Sequence, residues 1–253
     1  MEKEIFSKII YNKKIAKDTF EIKLDVKKDM DFIPGQFVNV KINRADLLLR
    51  RPISVHRYDQ KSGQMTLIYK VVGKGTQQMS LMVAGEKLSL LCGLGNGITI
   101  DKNDQNIFLI GGGMGCAPLL SVIDHNDRKT FTTFLGFDTK SSIFCMDEFD
   151  AKSSALHITT DDGSFGTKGF ITDILKRALK ENKPDLIFAC GPTPMLKSLK
   201  SILGEYDIKT YISIEERMGC GMGGCAVCAC KTNTGVKKAC VDGPVFDLNE
   251  VIL

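Results

Sequence analysis

The chain has 253 residues, of which 34 are Lys or Arg and 30 are Asp or Glu. The resulting net charge of +4 is too small to indicate a nucleic-acid-binding protein, which needs a dense basic face. A hydrophobic share of 43% excludes a wholly disordered chain. The N-terminal stretch is charged and no apolar run reaches the ~18 residues of a membrane span. We therefore expect a cytoplasmic protein that binds neither nucleic acid nor membrane.

Residues 1–100 are predicted to form a small antiparallel β barrel. Apolar and polar residues alternate in several short runs, which is the period-2 pattern of half-buried strands. Gly and Pro separate the runs, and only one short helix is predicted, at 77–83. The predicted strands lie at 20–26, 37–42, 65–69 and 88–91.

Residues 101–214 are predicted to form a doubly wound parallel α/β domain, because strands alternate with helices there. The predicted strands lie at 107–110, 131–137, 155–160, 186–189 and 211–214, the last of these being the final strand of the chain. The predicted helices lie from residue 117 onward and at 142–149, 169–180 and 195–203.

Five of the nine cysteines lie between Cys220 and Cys240, in a glycine-rich segment. Clustered cysteines in a chain without an export signal fit a metal site better than a disulfide framework. We expect a third, small loop domain at 215–253, too poor in apolar residues to form its own core and held by a metal. The predicted fold class is thus α+β multidomain.

Four of these cysteines have the spacing of a plant-type [2Fe–2S] site: Cys220, Cys225, Cys228 and Cys240. The glycines between them allow the backbone to wrap closely and to direct N–H groups at the sulfurs. Cys230 breaks the spacing and is predicted to lie outside the ligand set. A structural zinc site is the alternative, although zinc usually takes two short Cys pairs.

Arg51-Pro52-Ile53-Ser54 ends a loop and opens a predicted strand. Arg51 is suited to bidentate pairing with a pyrophosphate, and the Ser54 hydroxyl to hydrogen bonding with a flavin ring edge. Gly75 and Thr76 precede the predicted short helix, where glycine permits close approach to a phosphate. The alternative for Arg51 is an ordinary solvated surface residue.

Gly113-x-Gly115-x-x-Pro118 directly follows a predicted strand and departs from the dinucleotide-binding fingerprint in its Pro. A tight turn between strand and helix is the alternative. Asp138 ends the next strand, where a carboxylate can bond a ribose and repel a 2′-phosphate, which favours NAD over NADP. The loop Cys190-Gly191-Pro192 is expected at the same sheet edge, with buried filler as the alternative for Cys190.

Catalytic side chains are not predicted, since no nucleophile, base and acid occur at motif spacing. The three histidines, His56, His125 and His157, are expected to be structural or surface residues.

Together these motifs resemble the ferredoxin–NADP reductase superfamily. With the ending Asp242-Gly243-Pro244-Val245-Phe246, the whole chain is similar to the electron-transfer subunits of type B dihydroorotate dehydrogenases. The resemblance implies FAD contacts at Arg51, Pro52, Ile53, Ser54, Ile68, Tyr69, Lys70, Gly75 and Thr76. It implies NAD contacts at Gly113, Gly115, Asp138, Cys190, Gly191 and Pro192.

The resemblance also implies a route for electrons in pyrimidine (UMP) biosynthesis. They would pass from dihydroorotate through FMN on a catalytic partner subunit, then through the [2Fe–2S] cluster and FAD to NAD⁺. The implied assembly is a heterotetramer of two of each subunit.

Two alternatives stay open at this point. The small flavin subunit of NADH-dependent ferredoxin–NADP oxidoreductase or of sulfide dehydrogenase shares the architecture, but by resemblance has Asp as one cluster ligand, where this sequence has Cys220. A non-catalytic zinc- or cluster-bearing interaction module is the alternative from another class, and flavin absorption would exclude it.

Overall fold

A closed six-stranded barrel forms the N-terminal part of the computed structural model, which describes residues 3–26, 28 and 30–253. The strand order is β1-β2-β5-β4-β3-β6, and all neighbours are antiparallel, as predicted. The elements are β1 (Lys3–Ala16), β2 (Thr19–Asp25), β3 (Phe37–Lys41), β4 (Arg51–Asp59), β5 (Gln64–Lys70), α1 (Lys74–Ser80) and β6 (Lys87–Leu94).

Two details of the barrel differ from the prediction. Strand β1 was not expected, because its inward residues include the polar Ser7 while Phe6 and Ile10 face outward, so its alternation is masked. Helix α1 starts at Lys74, three residues before the predicted start. The Thr76 hydroxyl accepts the backbone N–H groups of Val72 and Gly73, which fixes the beginning of the helix there.

A seven-stranded sheet follows, in the order β10-β9-β8-β7-β11-β12-β15. Six strands are parallel and the order reverses at β7, which confirms the predicted doubly wound sheet. Its elements are β7 (Asn106–Gly112), α2 (Leu119–Asp124), β8 (Thr130–Phe137), α3 (Met146–Lys152), β9 (Ala155–Thr160), β10 (Thr167–Lys168), α4 (Ile171–Glu181), β11 (Leu186–Cys190), α5 (Thr193–Leu203) and β12 (Lys209–Ser213).

Each face of this sheet packs against its own pair of helices. Along β7, Phe108 and Ile110 belong to the core under α4 and α5, whereas Ile107 and Leu109 belong to the core under α2 and α3. Alternate residues of one strand therefore fill two separate cores, as expected for a strand that is buried on both faces.

The C-terminal segment contains three further strands, so the prediction that 211–214 is the final strand was wrong. A hairpin of β13 (Ala229–Thr232) and β14 (Gly235–Lys238) precedes β15 (Val245–Asp247), which pairs antiparallel with β12. The three residues of β15 are too few to show a strand period in the sequence. Val245, Phe246 and Val251 are buried, so apolar packing on the sheet also holds this segment.

Asn96 joins this segment to the barrel. Its side-chain amide donates to the carbonyls of Asp242 and Val245, at 2.9 Å each, and its backbone N–H donates to that of Gly243 at 2.7 Å. Within the described residues 3–26, 28 and 30–253, none of the helices is both long and apolar enough to cross a bilayer.

Candidate functional site

Two cavities lie side by side where the barrel meets the carboxyl ends of the parallel strands. The barrel cavity has a volume of about 390 Å³, and the sheet-edge cavity one of about 540 Å³. Lys70 and Met114 line both of them. A ligand in one cavity is therefore a direct neighbour of a ligand in the other.

The barrel cavity gathers most of the residues predicted to contact a flavin. Those that line it are Arg51, Pro52, Ile53, Ser54, Ile68, Tyr69, Lys70 and Thr76. They come from the start of β4, the end of β5 and helix α1, three segments that the barrel closure brings together. The hydroxyl of Tyr69 is engaged elsewhere, because it donates to Asn12 Oδ1 at 3.0 Å.

Gly75 lies behind this cavity, against Arg51. A Cβ at Gly75 would overlap the Arg51 guanidinium, so only glycine allows the arginine to lie over the first turn of α1. The guanidinium also donates to the Leu49 carbonyl. These contacts hold the positive charge of Arg51 at the rim of the barrel cavity.

The end of the parallel sheet also lines this cavity, with Cys190 at the end of β11, Ser213 at the end of β12 and Glu215 two residues beyond Ser213. Burial raises the pKa of the Cys190 thiol to about 12, with a smaller contribution from the charge of Glu215. Desolvation by the surrounding protein raises the pKa of the Glu215 carboxyl above its usual range. The wall therefore offers a neutral thiol and a carboxyl group that gains a proton more readily than usual.

The sheet-edge cavity gathers only part of the predicted nucleotide set. Gly113, Asp138 and Pro192 line it, each just after a parallel strand, at the point where the strand order reverses. Cys190 lines the barrel cavity instead. Gly115 and Gly191 have no side chain and allow the backbone to pack closely. A Cβ at Gly115 would overlap the Cys190 carbonyl, and a Cβ at Gly191 would lie 2.5 Å from Met195.

Asp161 joins Asp138 at the sheet-edge cavity and was not among the predicted contacts. Partial burial, together with the negative charges of Asp138 and Asp162, raises the pKa of Asp161. A second carboxylate beside Asp138 adds to the negative potential there. Such an edge accepts hydrogen bonds from ribose hydroxyls and repels an additional phosphate.

Sulfur atoms converge in the four-cysteine loop, residues 219–241. The Sγ atoms of Cys228 and Cys240 are 3.2 Å apart. The Met222 N–H points at Cys220 Sγ (3.3 Å), the Gly223 N–H at Cys240 Sγ (3.2 Å) and the Cys220 N–H at Cys225 Sγ (3.4 Å). The Met222 contact is the main reason that the pKa of Cys220 falls to about 7.

This donor set fits an iron–sulfur cluster. It has four thiols and backbone N–H groups directed at three of them, which suits a group of net negative charge. Cys230 has a different partner, because its thiol donates to the Lys237 carbonyl at 3.4 Å.

The four-cysteine loop packs on the barrel beside the barrel cavity. The buried Asn39 of β3 donates its side-chain amide to the Cys220 carbonyl at 3.3 Å. Met218, two residues before Cys220, lines the barrel cavity, as does Pro244 after Cys240. The structure thus places the four thiols beside the barrel cavity, and the barrel cavity beside the sheet-edge cavity, in one row.

Comparison with known proteins agrees with this arrangement. Residues 7–97 match the oxidoreductase FAD-binding domain, 109–201 the oxidoreductase NAD-binding domain, and 215–252 the iron-sulfur cluster binding domain of dihydroorotate dehydrogenase B. Fold and site define the chain as a subunit of a flavin oxidoreductase that uses NAD and carries an iron–sulfur cluster.

The curated relatives give the family. The dihydroorotate dehydrogenase B (NAD(+)) electron transfer subunit of Geobacillus sp. is 42% identical, and that of Enterococcus faecalis 41%; each alignment covers 97% of both chains. This chain belongs to the family of dihydroorotate dehydrogenase B electron transfer subunits, as the sequence motifs predicted.

Solved structures show the same fold. A chain from an NADH-dependent reduced ferredoxin–NADP oxidoreductase, a flavin-based bifurcating enzyme, is 33% identical, with a TM-score of 0.88 over 97% of this chain and 89% of that one. A ferredoxin NADP⁺ reductase from Neisseria gonorrhoeae, 18% identical, superimposes with a TM-score of 0.68 over 81% of this chain and 92% of its own, and shows the fold alone.

Proposed function

We propose that this chain conducts electrons from a dihydroorotate-oxidising partner subunit to NAD⁺, in the biosynthesis of pyrimidines (UMP). The observation that carries the proposal is the row formed by the four-cysteine loop, the barrel cavity and the sheet-edge cavity. A flavin supplies the chemistry that the row needs, because it exchanges hydride with nicotinamide and single electrons with an iron–sulfur cluster.

Each section of the row has its proposed residues. Cys220, Cys225, Cys228 and Cys240 hold the [2Fe–2S] cluster in the proposed third domain at 215–253. The cavity residues from Arg51 to Ser54, Ile68 to Lys70 and Gly75 to Thr76 bind FAD in the proposed domain at 1–100. Gly113, Asp138 and Pro192 line the NAD side in the proposed domain at 101–214, where Gly115 and Gly191 allow close backbone contacts and Cys190 faces the barrel cavity.

The partner is proposed to carry FMN and to assemble with this chain as a heterotetramer of two subunits of each kind. Three apolar side chains support docking at the four-cysteine loop, because Met222, Val227 and Val241 are each at least 50% exposed there. Apolar surface beside a redox group is suited to a contact that excludes water.

A second candidate function is that of the small subunit in NADH-dependent reduced ferredoxin–NADP oxidoreductase. It is favoured by the TM-score of 0.88 with a chain of that enzyme. The dihydroorotate dehydrogenase B relatives are more similar in sequence, at up to 42% identity. The partner with which the chain associates decides between the two.

The cluster ligands give the first prediction. Cys225→Ser is expected to abolish cluster absorption in the visible spectrum, because a loop held by a metal loses its order without all its ligands. Cys230→Ser is the matched control and should retain the cluster, since its thiol faces Lys237. Loss of the cluster in the Cys230 variant alone would contradict the ligand assignment.

For the flavin site, Arg51→Ala should weaken FAD binding about 10- to 150-fold, measured by titration of the deflavinated protein. A charge-assisted contact with a pyrophosphate contributes about 1.5–3 kcal/mol. Arg44→Ala is the control, because Arg44 is exposed on the same barrel and pairs with Asp46. Unchanged affinity in the Arg51 variant would remove this residue from the site.

For the nucleotide, we expect NADH to be preferred over NADPH in reduction of an artificial acceptor. Asp138→Ser should lower the kcat/KM ratio of NADH to NADPH about 10-fold or more, because a ribose contact and a repulsive charge are both lost. Asp162→Ser removes a neighbouring carboxylate outside the cavity lining and serves as the control. An unaltered ratio in the Asp138 variant would refute its role.

The chain alone is expected to pass electrons from NADH to artificial acceptors and to show no oxidation of dihydroorotate. A familiar dihydroorotate-oxidising subunit is a (β/α)₈ barrel, which takes ~250 residues of its own. Dihydroorotate-dependent reduction of NAD⁺ should appear only on mixing with an FMN-bearing partner, and Val227→Asp should reduce it while sparing NADH oxidation. Dihydroorotate oxidation by the chain without a partner, as checked by mass spectrometry, would overturn the proposal.

A further inference from the structure

Three side chains that could bind a metal ion meet at the junction of the barrel and the parallel sheet. Glu21 lies in β2, His56 in β4 and Cys145 immediately before α3. A carboxylate oxygen, an imidazole nitrogen and the thiol sulfur all lie within 4.8 Å of one another. The three residues belong neither to the lining of the two cavities nor to the four-cysteine loop.

His56 is held as a neutral ligand with a defined tautomer. Its ring is only 1% exposed, and Nδ1 lies 2.5 Å from the Ala117 carbonyl oxygen. Because a carbonyl can only accept, Nδ1 carries the proton and Nε2 keeps its lone pair. Burial also lowers the pKa of His56. Proteins orient a metal-binding histidine in this way, through a hydrogen bond from the ring nitrogen that does not bind the metal, here Nδ1.

Burial opposes ionisation of Glu21, but hydrogen bonds from Tyr11 and Lys13 outweigh it and lower the pKa of the carboxyl. Tyr11 donates to Oε1 at 2.7 Å, and Lys13 Nζ lies 3.0 Å from the same oxygen. The Lys13 side chain is 58% exposed, so it can move into solvent when a cation approaches. The carboxylate as a whole is nearly buried, which strengthens its attraction for a cation.

Cys145 adds the third donor. Burial raises the pKa of its thiol to about 12, and the negative charges of Glu148 and Glu21 add to this. Glu148 interacts with its thiol, and Arg57 forms ion pairs with Glu148 and with Asp124. The backbone of Cys145 is left-handed, with φ +54°, which is uncommon for a residue other than glycine, and its sulfur lies within 4.8 Å of the barrel donors.

We propose that Glu21, His56 and Cys145 bind one Zn²⁺ ion, with a water molecule as the fourth ligand. One carboxylate, one imidazole and one thiolate are a mixed donor set that suits zinc, whereas magnesium and calcium prefer oxygen alone. The ion displaces the thiol proton to solvent, and its two charges balance the carboxylate and the thiolate.

The ion would connect two parts of the fold. Glu21 and His56 belong to the barrel, and Cys145 belongs to the connection that leads into α3 of the parallel sheet. The Ala117 carbonyl, which holds His56, lies on the sheet side just after the glycine loop. Zinc at this junction would stabilise the relative position of the two cavities, in addition to the Arg57 ion pairs.

The test uses the full chain loaded with FAD and its iron–sulfur cluster, with iron content measured first. The protein is equilibrated with Zn²⁺, dialysed, and examined by elemental analysis and zinc K-edge absorption, to which iron and flavin are invisible. We expect one zinc per chain, with a single sulfur at about 2.3 Å and nitrogen and oxygen at about 2.0–2.2 Å. Zinc surrounded by sulfur alone, or no retained zinc, would overturn the proposal.

Variants separate this site from the four-cysteine loop. Cys145→Ala and the conservative Glu21→Gln should each lower zinc affinity about 100-fold or more, since loss of a ligand exceeds the effect of losing an outer contact. Cys92→Ala, which removes a thiol of the barrel strand β6 outside the proposed site, is the control and should bind zinc normally. Zinc binding that is equal in all four proteins would place the ion elsewhere and refute the assignment.

Discussion

The pairing of β15 with β12 is the interaction on which the arrangement of the redox sites depends. It ties the C-terminal segment to the parallel sheet, while Asn96 ties the same stretch to the barrel through three backbone carbonyls. Each hydrogen bond contributes only about 1 kcal/mol, but together they fix the position of the loop that precedes them. The four cysteines are thereby held beside the barrel cavity, where a short path for electrons requires them.

Close backbone contacts fix the position of the two cavities relative to each other. Gly115 has no side chain, so the loop after β7 can lie against the Cys190 carbonyl after β11. Met114 is thereby placed between the cavities, with Lys70 from the barrel beside it. The neutral Cys190 thiol and the desolvated Glu215 carboxyl line this junction. The two cavities therefore meet at a tightly packed wall that leaves little room for water between their ligands.

Local patterns explain how much the sequence could predict. The barrel, the parallel sheet and the cysteine spacing each follow from a repeat or motif within a few consecutive residues, and they were predicted. The polar residue Ser7 of strand β1 faces the barrel interior, and β15 is only three residues long. Neither strand therefore shows the alternation of apolar and polar residues that predicts a strand. Glu215 lies two residues beyond the end of β12, and its position after a parallel strand was the one signal that could have indicated it.

The cluster of Glu21, His56 and Cys145 shows a further limit of such reasoning. Glu21 and His56 are 35 residues apart along the chain, and His56 and Cys145 are 89 residues apart. No motif spacing relates the three residues. His56 was expected to be structural or at the surface; it is buried, and only the docking of barrel and sheet supplies its neighbours.

The C-terminal segment contains two parts with different sources of stability. The prediction that a metal holds the segment now concerns residues 219–241, where many side chains are exposed and backbone N–H groups point at the cysteine sulfurs. Beyond Gly243, Val245, Phe246, Leu248 and Val251 are at most 5% exposed. Because burial of such side chains stabilises by about 1.5–3 kcal/mol each, this part belongs to the sheet and persists without iron. The four-cysteine loop begins after β12 and ends before β15, so the sheet fixes the separation of its two ends, while the order of the loop between them is expected to depend on the metal.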